Sequence, residues 1–184
     1  MKWRTGILVL VLGAGLAGLL AGDAATVGVT DANVRPAAWT EIRWPFLLDQ
    51  WGTGKAFRCA AADCGQAMTI YLRPKIGFCN CATGVSDDAE LDRVGDVDLI
   101  GERFAPIADG RPIAVAWMNG RSRSYAVELP QPRTALALAF NDKCDVVVAT
   151  VVGERALPPA AERLALAFLN SRMVLRWVEA SLGL

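Results

Sequence analysis

Four cysteines fall close together, Cys59 and Cys64 in Cys-Ala-Ala-Ala-Asp-Cys and Cys79 and Cys81 in Cys-Asn-Cys, while a fifth, Cys144, stands apart. The 184-residue chain has no histidine. Thiols at this density most often pair in an oxidising compartment. Four cysteines allow three pairings. A Cys79 to Cys81 bridge spans one residue and strains the required geometry. That disfavours Cys59 with Cys64, since its complement would be the strained pair. The expectation is a crossed set, either Cys59 with Cys79 and Cys64 with Cys81, or Cys59 with Cys81 and Cys64 with Cys79. Cys144 would then be a buried, inert thiol. The alternative use of Cys59, Cys64, Cys79 and Cys81 is to hold a metal. Their spacings of four and one intervening residues depart from the Cys-x-x-Cys knuckle of zinc and of common iron–sulfur sites. Copper(I) accepts thiolates with less geometric demand, and Met68 is available to join them. Thiol redox chemistry lacks both a Cys-x-x-Cys and a neighbour that would activate a thiolate.

The missing histidine removes other chemistry outright. A Ser-His-Asp triad is excluded, although Ser-Lys variants survive the argument. Haem attachment through Cys-x-x-Cys-His is excluded too. No Gly-x-Ser-x-Gly, P-loop or His-Glu-x-x-His occurs. Seven acids crowd residues 87–102: Asp87, Asp88, Glu90, Asp92, Asp96, Asp98 and Glu102. They miss the calcium-loop pattern, because an apolar residue follows at the fifth position from Asp96. Solvated, helix-terminal charge is the expected role. Arg121 and Arg123 flank Ser122 and share a face if the segment is a strand. They are the candidate anion contact, suited to a carboxylate or phosphate. The competing expectation is an ordinary exposed hairpin end.

These groups sit in a globular framework. Just over half the residues are apolar and 21% are charged, which is not a disordered composition. Lys2 and Arg4 precede the first acid, Asp23. From there on, 17 of the 19 basic groups face all 19 acids. A near-neutral body argues against nucleic-acid binding, which needs a basic face.

Met1-Lys-Trp-Arg followed by an apolar run over 6–22 reads as an export segment. Cleavage after Ala24 puts Gly22 at the −3 position. The 17-residue run is at the short limit for crossing a bilayer, so an uncleaved inner-membrane anchor is the other outcome. Lys2 and Arg4 place the remainder outside the cytoplasm. The run also contains Gly13, Gly15 and Gly18 in Gly-x-Gly-x-x-Gly, with Asp31 downstream. The next apolar stretch begins too soon for a crossover helix, so a dinucleotide fold is rejected.

Residues 23–52 read as loop, with tryptophans at 39, 44 and 51 expected to cover the core edge. Strands are expected over 55–60 and 67–73, and a helix over 86–94 with Asp87-x-x-Glu90 as a capping box. A meander follows over 103–107, 112–118 and 121–129, with Asn119-Gly120 as its hairpin turn. Residues 134–140 and 144–152 form another hairpin, and the second strand, apolar on both faces, is expected to be central. From 159 on the chain is helical. Leu164, Phe168, Leu175, Val178 and Leu182 form one stripe, and Asn170-Ser171 splits it into two helices. The expected fold is α+β: an antiparallel sheet of hairpins with the C-terminal helix or helix pair packed on it. Residues 25–184 are expected to form one domain.

The hairpin running into residues 167–171, Ala-Phe-Leu-Asn-Ser, resembles the C-terminal half of PsbP-like envelope proteins. More widely, Trp44-Pro-Phe, Asp49-Gln-Trp-Gly, Lys75-Ile-Gly-Phe-Cys-Asn-Cys81, Gly84-Val-Ser-Asp-Asp88, Ala116-Trp-Met and Phe140-Asn-Asp resemble a family of bacterial envelope proteins of unknown function. That resemblance implies an envelope location and brings neither an activity nor a site residue. The expectation is a periplasmic or secreted, non-enzymatic protein that binds another envelope protein or assists assembly. It would use no cofactor. Metal or thiol handling through the cluster from Cys59 to Cys81 is the alternative.

Overall fold

The structure, a computed structural model, describes residues 37–131 and 133–184. The expected export segment over 1–24 lies outside the described residues. Eight antiparallel strands form one sheet: β1 (Trp39–Ile42), β2 (Lys55–Cys59), β3 (Met68–Lys75), β4 (Phe104–Pro106), β5 (Arg111–Val115), β6 (Met118–Val127), β7 (Arg133–Asp142) and β8 (Asp145–Gly153). Their order is β1-β2-β3-β8-β7-β6-β4, and β5 pairs with the same edge of β6 as β4 does. The helices are α1 (Ala61–Cys64), α2 (Asp88–Val94), α3 (Ala161–Leu169) and α4 (Arg172–Leu182), with a 3-10 turn over Val97–Leu99. The α+β class holds. Among the described residues no helix is long and apolar enough to cross a membrane.

The two sheet faces are covered differently. On one, Met68, Ile70 and Leu72 of β3, Leu136, Leu138 and Phe140 of β7, and Val147, Ala149 and Val151 of β8 pack against Ala165, Phe168 and Leu169 of α3 and Val174 and Val178 of α4. Of the expected stripe, Phe168, Val178 and Leu182 enter this layer and Leu164 and Leu175 pack against its edge, while Ala165, Leu169 and Val174 complete it. Ser171 caps α4, its hydroxyl accepting from the Val174 N–H. The helices divide at Asn170 and Ser171, as expected. On the other face, Val146, Val148, Ala137 and Tyr125 meet Leu91 and Val94 of α2. Loop 43–54 covers another part of that face, Trp44 and Phe46 meeting Tyr71 and Trp51 meeting Phe78. As expected, β8 is central and nearly every side chain in it is buried.

The expected Asn119-Gly120 turn is not where the hairpin turns. Both residues lie inside β6, and the chain reverses at Ala116-Trp117, with Val115 opposite Met118. Ala116 adopts the left-handed φ of 52°, and its N–H donates to Asn170 Oδ1 at 2.8 Å. Gly120 has a different reason to be glycine. A Cβ there would lie 2.0 Å from the Ala139 carbonyl oxygen on β7. Close strand approach, not turn chemistry, selects it. Strand β1 and the short helix α1 form where the sequence reads as loop and turn.

Candidate functional site

Alternation along β3 builds the most unusual group in the molecule. Its even-numbered side chains enter the helix-covered core, so Tyr71, Arg73 and Lys75 project on the loop-covered face. Arg73, Lys75 and Asp96 are only 3%, 4% and 4% exposed. Arg73 grips Asp96 with both arms, Nε to Oδ2 at 3.0 Å and Nη2 to Oδ1 at 2.7 Å. Lys75 Nζ lies 2.7 Å from the same Asp96 oxygen and donates to the Val94 carbonyl at 2.7 Å. Arg73 Nη1 also donates to Asp49 Oδ2 at 2.5 Å. Burial works against the charge of Arg73, but its bonds to Asp96 and Asp49 outweigh that and hold its pKa above the ordinary value. Charges this deep persist only when paired and hydrogen-bonded.

Aromatic rings close over these cations. The Trp51 and Phe78 rings lie 4.4 Å apart. Lys75 Nζ is 5.7 Å from the first and 5.4 Å from the second. The Arg93 guanidinium sits 4.7 Å from Phe78, and Phe46 meets Tyr71 edge-on at 4.8 Å. Beside them opens a cleft of about 280 Å3, whose lining includes Trp51, Lys75, Phe78, Asp98, Phe104 and Tyr125. The Tyr125 hydroxyl donates to Asp92. Burial first and that carboxylate second raise the Tyr125 pKa, so the phenol stays protonated.

Arg121 and Arg123 do share a face, but carboxylates of the same chain occupy them. Arg121 binds Asp88 and the Gly110 carbonyl. Arg123 binds Asp92 at 2.9 Å and the Ala108 carbonyl. They clamp α2 and the β4–β5 turn to β6, so no open anion contact is assembled there. The acidic segment is distributed in the same way. Asp87 caps α2, and Glu90 holds Arg93 and the Asn80 N–H. Among the described residues no three Cys, Asp or Glu side chains gather to hold a metal ion.

The cysteine expectation needs correction. Cys59 is bonded to Cys64, and Cys81 to Cys144, leaving Cys79 as the buried thiol. Neither crossed pairing forms. Strand β3 is the reason. Cys59 stands opposite Met68 at one end of it, and Cys144 precedes Asp145 at the other, where Lys75 pairs with Val146. Seven extended steps separate the two ends by about 23 Å. The same distance prevents Cys59, Cys64, Cys79 and Cys81 from meeting around one ion. Cys144, expected as the free thiol, is 63 residues from Cys81 in sequence yet abuts the 79–81 segment in space and is bonded there. The Cys79 N–H donates to the Cys144 carbonyl at 3.0 Å, and its thiol to the Lys143 carbonyl at 3.2 Å. Burial, then the Glu90 and Asp145 charges, push the Cys79 pKa up to about 11. A thiol of that kind is a poor nucleophile.

No family model, curated protein or solved structure matches this chain. The site therefore rests on its own geometry, and the resemblance to envelope proteins rests on the residues that suggested it. Sequence reasoning missed Asp49, Arg73 and Lys75, and it expected solvated charge at Asp96, which is instead buried between Arg73 and Lys75. The available signal was the alternation Ile70, Tyr71, Leu72, Arg73, where charge appears in mid-strand at the positions facing away from one core.

Proposed function

We propose that this is an exported, disulfide-stapled binding domain of the bacterial envelope, non-enzymatic, that holds another envelope protein or assists its assembly. Two disulfides fit an oxidising compartment outside the cytoplasm, here periplasmic or secreted. Residues 6–22 serve as export signal or inner-membrane anchor. The observation that carries the binding role is the cleft in which Trp51 and Phe78 meet Lys75 and Arg93, with Phe104 and Tyr125 also in its lining. Aromatic rings and arginine are the chemistry of binding hot spots. The candidate reactive groups are engaged in holding the fold: four cysteines in bridges, Cys79 as a raised-pKa thiol, and Arg121 and Arg123 in ion pairs. The competing metal or thiol-handling reading has less support, because β3 holds the two cysteine groups apart.

The test is a photo-crosslinking amino acid at position 98, on the cleft rim, in intact cells. One defined envelope protein should be captured there, and capture should fall when Phe104→Asp is added. Equal labelling at position 98 and at an off-cleft position such as 184 would reject the reading. Thiol and metal analysis of the exported chain separates the alternative: one free thiol at Cys79 and no metal are expected.

A further inference from the structure

Leu47 and Leu48 are 90% and 74% exposed, the most exposed large apolar side chains among the described residues. They are adjacent, at the crest of loop 43–54, and what lies beneath them is not loose. The Trp44 and Phe46 rings are half-buried against Tyr71. Asp49 binds Arg73 from the loop side and accepts the Trp51 N–H at 2.8 Å. Trp51 packs on Phe78. A flexible loop would fold such leucines back against the protein. This one is clasped on both sides so that they point away from it.

The charge around the crest is arranged consistently. The two acids near it are matched, Glu41 by Lys55 at 2.6 Å and Asp49 by Arg73. Arg43 is exposed and makes no ion pair among the described residues. An exposed tip with two free leucines, a cation and no unmatched acid has the chemistry of a bilayer interface, where Arg settles at headgroup level and Leu goes deeper, while Trp44 and Trp51 pack inward and brace it. The chain that precedes the described residues bears on this. Fourteen residues separate Gly22, the end of the apolar run, from Ala37. Fully extended they reach about 50 Å. A retained anchor would therefore hold the domain within reach of the membrane surface.

We infer that loop 43–51 is a membrane-dipping tip, inserting Leu47 and Leu48 into the headgroup boundary of a phospholipid bilayer. The inference goes beyond the proposed binding role, which concerns the cleft. It rests on the reading of 6–22 only for delivery to the surface.

The test uses the full chain in vesicles of mixed zwitterionic and anionic phospholipid, with its intact mass confirmed. A solvatochromic fluorescent amino acid is placed at position 47 or, as an exposed apolar control, at position 117. A blue shift at position 47, quenched by lipids brominated in the upper acyl chain and absent at 117, is expected. With the probe at position 50, Leu47→Ser with Leu48→Ser should abolish the shift, while both disulfides persist by mass. A spectrum at position 47 unchanged from buffer, or equal shifts at 47 and 117, overturns the inference. So does a shift that appears only when another envelope protein is added. Cleft crosslinking at position 98 is read separately, so either idea can fail alone.

Discussion

The two faces of the sheet reach stability by opposite means. The helix-covered face is an apolar layer in which Ile70, Leu72, Leu138 and Val147 meet Phe168 and its ring partners Trp39 and Phe57 without charge. Among the described residues the loop-covered face has no long helix, and loop 43–54 and the seven-residue α2 close it. It does so with an arginine, a lysine and an aspartate buried under aromatic rings. An apolar layer tolerates small changes in shape at moderate cost. A buried ion cluster tolerates none of its members being lost singly. That difference makes the second face the less forgiving one, although it is the smaller.

The largest expected effect follows directly. Asp96→Ala leaves Arg73 and Lys75 buried around a missing anion and should cost about 3–5 kcal/mol. Phe168→Ala on the other face should cost a similar amount, about 3–5 kcal/mol, through its cavity. The two separate when more is removed. Replacing Arg73, Lys75 and Asp96 together by Met, Met and Leu should restore most of the loss, because no deeply buried charge remains and Asp49, left without Arg73, is part-exposed to solvent. Adding a second cavity, Leu169→Ala, to the Phe168→Ala chain should make matters worse. Denaturant midpoints of the four variants decide it. A triple variant no better than Asp96→Ala would show that the cluster contributes net stability of its own.

The bridges are next in size and belong to different ends of the same strand. Cys81 and Cys144 close a loop across 63 residues and tie the 79–81 segment to the β7–β8 turn. Cys59 and Cys64 close one of five and fix α1. Loop-closure entropy gives about 4 kcal/mol for the first and about 2 kcal/mol for the second. Removing each pair as a double Ser variant and comparing urea midpoints checks the order. Equal losses would mean that the unfolded chain already holds the long loop together. The remaining thiol is part of this prediction. With a pKa of about 11, Cys79 is thiolate in about one molecule per thousand at pH 8. It should resist alkylation until denaturant is added, and peptide mapping should then find the label at Cys79 and not at Cys144.

Much of the helix face was legible in the sequence because a single periodicity governs it. The stripe from Leu164 to Leu182 and the doubly apolar run 146–152 declare burial on their own. The break at Asn170 and Ser171 was readable from capping chemistry. The loop face was not, because its logic is long-range. Nothing near Asp49 announces that it will meet Arg73, and nothing near Cys81 announces Cys144. Asn119-Gly120 misled for a related reason. The local dipeptide has strong turn chemistry, but the need for β7 to approach β6 at Gly120 outranks it. The crossed disulfides failed on one premise, that the four clustered cysteines pair only among themselves: Cys59 bonds its near neighbour Cys64, and Cys81 bonds Cys144. Eight extended residues of β3 hold the two groups apart.

The smallest expected effect is the most selective between the faces. Asp49, Asp88 and Glu90 all have pKa values below the ordinary carboxylate value, and all three fasten the loop-covered side. For Asp49, burial pulls the pKa up, but the Arg73 and Trp51 hydrogen bonds outweigh it. For Asp88 the Gly110 N–H comes first and Arg121 next. For Glu90 it is the Arg93 bond. A carboxyl whose folded pKa is depressed takes up its proton more readily in the unfolded chain. Its contribution is therefore complete above the unfolded value of about 4 and is lost as the pH falls through the folded one. Acid should then loosen one face first. Amide exchange in residues 43–54 and α2 should quicken between pH 5 and pH 3, after correction for intrinsic rates, while α3, α4 and the centre of β8 stay protected. Uniform loss of protection would mean that the faces open together, and that the ion cluster and the apolar layer behave as one cooperative unit despite their different chemistry.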